Sequence, residues 1–251
     1  MNPGVNEIAV KTILSKSGIP GRKYCINPYV GCAHACRYCY ATFMKRFTGH
    51  IEPWGSFVDI KMNAPEVLRR QLKRAEKGGI IMSSVTDPYQ PLEAKYKLTR
   101  KCLEILLLFK FPVDILTKSP LVLRDIDIIS KLKDAQVGLT ITTDDEKMRK
   151  IFEPDAPSIL SRINALKKLH EAGIPTYVFT GPLLPMDPER LAREIKPYAD
   201  SVLIDRMNYT GKTEWLYKKY DIGKWLDEGF IDDIIFRLRK SLSPADVSII
   251  C

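Results

Sequence analysis

The chain has 251 residues, 45% of them hydrophobic, which is enough to bury one full-sized core and matches a single α/β domain. A formal net charge of +9 favours an anionic partner such as DNA or RNA. No apolar run approaches the roughly 18 residues a membrane helix needs and no signal peptide opens the chain, so membrane and disulfide-rich secreted classes are set aside in favour of a cytoplasmic protein.

Residues 1–22 read as an N-terminal extension to a first strand at 23–27. A short loop with three cysteines follows. Five more strand signals, 79–84, 112–116, 136–142, 174–179 and 200–205, are apolar or β-branched runs bounded by Gly, Pro or Asp. Helical patterns lie between them. Residues 98–109 place Leu98, Cys102, Ile105, Leu106 and Phe109 on one face, and Ile159, Ile163, Leu166 and Leu169 repeat the pattern. Ser119-Pro120 and Asp187-Pro188 each read as an N-cap followed by proline at the first helical position. Six strand-helix repeats imply a parallel sheet that right-handed crossovers curl into a barrel, with a site at the C-terminal strand ends. Residues 211–251 read as a C-terminal helical extension packing on that barrel.

Cys32, Cys36 and Cys39 stand four and then three positions apart in a tyrosine-flanked loop. Three thiolates on a cubane iron-sulfur cluster leave one of its four irons open to a further ligand. A zinc site completed by Cys25, His34 or His50 is the rival, although structural zinc motifs usually pair two close ligands with two distant ones. The spacing also suits one apolar helix face, but Gly31, His34, Arg37 and Tyr38 are poor material for it.

The spacing Cys-x3-Cys-x-aromatic-Cys resembles the cluster loop of radical S-adenosylmethionine (radical SAM) enzymes, and the wider stretch Asn27 to Ala41 resembles the branch related to spore photoproduct lyase. Ser84 to Glu93, Thr117-Lys118-Ser119 with Arg124-Asp125, and Glu153 to Pro157 followed by Arg162 and Ala172 to Pro175 occur in the order found in that branch. The resemblance runs from about residue 22 to about residue 208. It implies a partial (β/α)6 TIM-type barrel over 23–210, a [4Fe-4S] cluster on Cys32, Cys36 and Cys39, S-adenosylmethionine on the open iron, and an external one-electron reductant of flavodoxin or ferredoxin type.

Position then suggests cofactor contacts. Thr86 and Asp87 offer acceptors to the methionine amine, Lys118 and Arg162 face its carboxylate, Thr140 and Thr142 suit the ribose, and Tyr38 and Tyr40 suit the adenosine. Each has a plain alternative in turn chemistry, strand propensity, a solvated helix face or core packing. One departure matters. Spore photoproduct lyase carries a hydrogen-donating cysteine shortly before its second-strand Ser/Thr-Asp pair, where this chain has Ser84, which puts thymine-dimer repair itself in question. Cys25 near the loop is a candidate hydrogen donor or extra ligand, Cys102 reads as core, and Cys251 is the terminus.

Basic groups concentrate at Arg69-Arg70 with Lys73, Arg74 and Lys77, at Lys95, Lys97, Arg100 and Lys101, and at Arg237, Arg239 and Lys240. Trp54, Tyr96, Trp215, Tyr217, Tyr220 and Trp225 interleave with some of them and offer rings on which bases stack. Two readings stand: a radical enzyme acting on nucleic acid or another anionic substrate, or a noncatalytic iron-sulfur or zinc module with a basic nucleic-acid-binding surface.

Overall fold

The computed structural model describes residues 3–243 and 246–250, so Cys251 lies outside the described residues. Eleven strands are present among them: β1 (Gly4–Ile8), β2 (Leu14–Lys16), β3 (Tyr24–Ile26), β4 (Tyr29–Val30), β5 (Phe57–Lys61), β6 (Ile80–Met82), β7 (Val113–Thr117), β8 (Gln136–Thr140), β9 (Thr176–Thr180), β10 (Ser201–Asp205) and β11 (Asp246–Ile250). The main sheet runs β11-β10-β9-β8-β7-β6-β3-β2. All neighbours in it pair in parallel except β2, which lies antiparallel on β3. The six expected strands are thus β3 and β6 to β10, and the sheet curls into a partial TIM-type barrel open between β2 and β11.

Strand alternation divides its two faces. Ile26, Met82, Ile115, Leu139, Val178 and Ile204 are fully buried in one core under the helices. Their neighbours Cys25, Ile81, Leu116, Thr140, Phe179 and Leu203 take the opposite, concave side by that alternation. Near the N-terminal strand ends this side is closed. Asp114 accepts from the Tyr177 hydroxyl at 2.9 Å and pairs with Arg22 at 2.7 Å, all on the barrel axis side of β7 and β9.

The helices Leu98–Phe109 and Ile159–Glu171 fall where the 3.6-residue pattern places them. Asp187 caps Pro188–Ile195 by accepting from the Arg190 N–H at 2.9 Å, whereas the turn behind Ser119-Pro120 is a 3-10 segment, Pro120–Asp125. Cys102 is fully buried on its helix.

Both extensions are more than they looked. The N-terminal segment contributes β2 to the main sheet and β1 to a second sheet of order β1-β5-β4, which sits beside the barrel. The C-terminal segment is not purely helical: after the helix Glu228–Leu242 the chain returns to the sheet as β11, in parallel register with β10. The helix packs on Pro188–Ile195, so it forms one more crossover and makes β11 a seventh parallel strand. The helix Thr210–Lys219 also straddles the expected boundary at 210. No described helix is long and apolar enough to cross a membrane.

Candidate active site at the cysteine loop

The loop after β3 and β4 crosses the C-terminal ends of the strands. It is fixed mainly by side chains reaching its backbone. Gly31 O accepts from Thr86 Oγ1 at 2.5 Å and from Gln90 Nε2 at 3.3 Å, while the Ala33 N–H donates to Gln90 Oε1 at 3.0 Å. Arg37 N–H reaches Phe152 O and Asp155 N–H reaches His34 O, tying the loop to the segment after β8. Gly31 has φ +80°, and a Cβ there would stand 2.4 Å from Phe57 O, so the close passage of β5 requires glycine.

Three free thiols line the inner side of this loop. Burial pushes all three up, Cys36 to about 12, and the ammonium of Lys118 near Cys36, and those of Lys118 and Lys212 near Cys39, work in the other direction. Arg162 acts on Cys36 in the same sense, so these cationic groups stand where thiolates need them.

Below the loop lies a buried ionic cluster that sequence reasoning missed as a unit. Glu153 is fully buried; it accepts from Tyr38 Oη and from Thr142 Oγ1 (3.0 Å), pairs with Arg162, and has Lys118 Nζ at 3.9 Å. Burial alone would raise its carboxyl pKa, yet Arg162 first and Lys118 second hold it at about 2. Arg162, also fully buried, donates as well to Thr140 O (3.0 Å) and Pro157 O (3.0 Å). It is not on a solvated helix face, and three of its five N–H groups are committed within the protein. In the sequence Glu153 is one position of the stretch Glu153 to Pro157, and a lone Glu before proline carries no signal for this role.

Asp87 is committed in the same way. Its Oδ1 accepts from the Tyr89 N–H (2.8 Å) and Thr117 Oγ1 (2.6 Å), its Oδ2 from the Lys118 N–H (2.8 Å), and His34 Nε2 lies 3.3 Å from Oδ2. Burial opposes its charge, but His34, Thr117 and the Lys118 N–H bring the carboxyl down to about 2. Of the expected cofactor contacts, Tyr38, Thr86, Asp87, Thr142 and Arg162 thus have their polar atoms paired within the protein. Thr140 is buried with its backbone oxygen taken by Arg162. Tyr40 and Lys118 remain at the rim: Tyr40 is 41% exposed with its hydroxyl on Ser84 O, and the Lys118 ammonium stands 5.7 Å over the Tyr38 ring.

Cys25 is where the alternation puts it, on the concave side beside Ser84. Its thiol lies 3.1 Å from Ser84 Oγ and accepts from Asn27 Nδ2 at 3.2 Å. Asn27 Oδ1 in turn accepts from the Ser84 and Val85 N–H groups, at 2.9 and 3.1 Å. A thiol therefore stands next to the position where the lyase branch carries its cysteine, contributed by the neighbouring strand. Burial raises the Cys25 pKa, which keeps the S–H intact at neutral pH.

A strap, residues 49–57, closes over the loop from the other side. His50 stacks on Phe57 with ring centroids 3.8 Å apart, and its two nitrogens meet Glu52 (3.0 Å) and Asp59 (2.9 Å). Burial disfavours the charged ring, but Asp59 and Glu52 outweigh it and the pKa is raised above 6.5. The protonated ring is therefore bound more tightly in the fold. Its contribution is fully present below the unfolded value and fades as pH rises through the folded one. Denaturation across about pH 6 to 8 is expected to show this loss in the native chain and not in His50→Gln.

A half-open parallel α/β barrel with a thiol-lined loop over its C-terminal strand ends defines the structural class. The family model of the radical SAM superfamily matches residues 26–212, and the chain belongs to that superfamily. An uncharacterised protein of Methanocaldococcus jannaschii is 38% identical over 245 residues, 93% of either chain. Spore photoproduct lyase complexed with dinucleoside spore photoproduct shares the fold, with a TM-score of 0.65 at 14% identity over 98% of this chain and 81% of the lyase. Streptococcus suis SuiB bound to its precursor peptide SuiA aligns with a TM-score of 0.54 at 13% identity, over 100% of this chain and 49% of SuiB.

Superfamily membership implies a [4Fe-4S] cluster and S-adenosylmethionine, and the residues present fit them. Among the described residues no three His, Cys, Asp or Glu side chains converge on one point that a single metal ion could occupy. A zinc tetrahedron needs that convergence, with sulfurs about 2.3 Å from one ion; a cubane takes each cysteine on a different iron and tolerates a wider spread. His34, 1% exposed and between two of the cysteines, sets its Nε2 3.3 Å from Asp87 Oδ2, while its Nδ1 has no hydrogen-bond partner among the described residues, as a site shaped around a further group leaves it.

Proposed function

We propose that the chain is a radical SAM enzyme that holds a [4Fe-4S] cluster on Cys32, Cys36 and Cys39, cleaves S-adenosylmethionine reductively and turns the resulting radical on a nucleic-acid substrate. When bound on these three thiolates, the cluster would supply the single electron, received from a flavodoxin- or ferredoxin-type donor, for reductive cleavage of S-adenosylmethionine to methionine and a 5′-deoxyadenosyl radical. The protein's part is placement. Lys118 offers its ammonium to the methionine carboxylate, Tyr40 its exposed ring to the adenosine, and Thr140 borders the ribose side. Tyr38, Thr86, Asp87, Thr142 and Arg162 form the frame that holds these groups. Cys25 would return a hydrogen atom to a substrate radical, and the thiyl radical left on its sulfur would take one electron from the external donor and one proton to restore the thiol; its place on the concave side next to Ser84 supports this.

The observation that carries the substrate class is a ridge of exposed rings at the mouth of the barrel. Tyr209 stacks on Tyr40 (6.1 Å), Tyr40 on Phe43 (6.3 Å), and Phe43 meets Phe47 edge-on (6.2 Å). Cations lie along it: Lys212 is 5.4 Å over Tyr209, and Arg37 is 5.4 Å over Trp215. Rings spaced for stacking and flanked by cations suit the bases and phosphates of a single strand. The rings named from sequence divide. Trp215 and Tyr220 are exposed, whereas Tyr217 and Trp225 are core residues, Tyr96 bonds to Glu7, and the basic residues Arg100 and Arg237 are spent on Asp125, Asp127 and Glu189. Phe47, 76% exposed, and Tyr209 add to the surface.

The test combines two assays. Anaerobically reconstituted protein with dithionite is expected to convert S-adenosylmethionine to 5′-deoxyadenosine, and labelled single-stranded oligonucleotides are expected to bind with steep salt dependence. Phe47→Ala with Tyr209→Ala should weaken binding by about 1–3 kcal/mol per lost stack. No 5′-deoxyadenosine refutes the radical assignment; salt-insensitive binding, or binding indifferent to both substitutions, refutes the substrate class.

A further inference from the structure

Lys61 is the last residue of β5, in the second sheet, yet its side chain reaches the barrel. The ammonium donates to Asn27 O at 2.8 Å, just past the C-terminal end of β3. Asn27 is the hub of this part of the rim: its Nδ2 donates to the Cys25 thiol (3.2 Å), and its Oδ1 accepts from the Ser84 and Val85 N–H groups (2.9 and 3.1 Å). One residue therefore stands between the ammonium and the thiol.

That ammonium has no counter-charge. Asp59, two positions back on the same face of β5, is taken by Asn6 (3.1 Å) and His50 (2.9 Å), and no carboxylate among the described residues pairs with Lys61. Other cations around the site are matched: Lys118 and Arg162 share Glu153, and Arg124 meets Glu93 and Asp125. Lys61 is only partly exposed, and burial pushes its pKa down against the pull of Cys25 and Asp59. Taking a charge out of water without a partner is costly, and two of the three ammonium donors carry no hydrogen bond to the described residues. An anion brought to this point relieves both deficits.

The neighbours indicate which anion. Tyr40, in the ridge of exposed rings, donates its hydroxyl to Ser84 O, so the ridge ends on the residue that Asn27 holds. A ring for stacking, the Cys25 thiol and the Lys61 ammonium thus follow one another across Tyr40, Ser84 and Asn27. We propose that Lys61 binds a backbone phosphate of the substrate strand at this rim, beside the base carried on Tyr40, and so sets which nucleotide faces Cys25. The inference rests on the nucleic-acid reading of the ridge.

The test uses a labelled single-stranded pentanucleotide and the same sequence with every linkage a neutral methylphosphonate, each titrated against the native chain and Lys61→Gln by fluorescence anisotropy. Lys61→Gln is expected to bind the phosphodiester strand about tenfold more weakly, the effect of one hydrogen bond to a charged group, and the methylphosphonate strand as the native chain does. The slope of its log K against log salt should be shallower by about 0.7, the share of one phosphate on a single strand. Should Lys61→Gln fail to fold, Lys61→Met, which keeps the buried stem, gives the same comparison. Equal weakening on both strands, as a purely structural lysine would give, or no weakening on either, overturns the proposal. Such a result with a native chain that binds the phosphodiester strand defeats this inference alone, whereas a native chain that binds neither strand defeats the nucleic-acid reading together with it.

Discussion

Glu153→Ala is expected to destabilise the fold by about 3–5 kcal/mol, because it strands the Arg162 guanidinium in the core without its counter-charge. In a chain of this size each kcal/mol lowers the melting temperature by about 2–4 °C, so calorimetry or circular dichroism reads the effect directly. Glu153→Gln preserves shape but not charge and should recover only part of the loss. The acid dependence has a definite sign. Glu153 has a folded pKa of about 2 against an ordinary 4.5, so its contribution is complete above the unfolded value and disappears as pH falls through about 2. Removing Glu153 also frees Tyr38 and Thr142, which border the loop, so cluster loading should fall along with stability.

The other large effect is chemical. Cys36→Ala is expected to abolish the visible absorption of the reconstituted cluster and to bring 5′-deoxyadenosine formation to background, since two thiolates do not hold a cubane with one defined open iron. Cys102→Ala is the matched control: that thiol is fully buried on a helix away from the loop, and its loss should cost some stability while leaving iron content unchanged. Equal iron in Cys36→Ala and the native chain would remove Cys36 from the ligand set.

The barrel strands were legible because each is a short apolar run between turn residues, and β3 and β6 to β10 fall on those runs. The second sheet was not. Phe57–Lys61 alternates poorly and contains Asp59, whose carboxylate is acceptable in a strand only because Asn6 and His50 meet it from elsewhere in the chain. β11 was hidden for a related reason, as a five-residue strand after a long helix gains meaning only once that helix is seen to cross back to the sheet edge. At the site, the loop with its three free thiols was readable as a unit because Cys32, Cys36 and Cys39 are close in the chain. The roles of Asp87 and Arg162 were not, because a side chain that braces backbone groups across 22 or 31 residues of sequence looks the same in one dimension as one that meets a ligand. Ser84 and Cys25 show the reverse: they are 59 positions apart, and only strand pairing makes one answer for the other.

The Arg22–Asp114–Tyr177 bridge has a last consequence. It lays a polar floor across the concave side near the N-terminal ends of β7 and β9, so a group that enters there from the C-terminal mouth is stopped above Arg22 and Asp114.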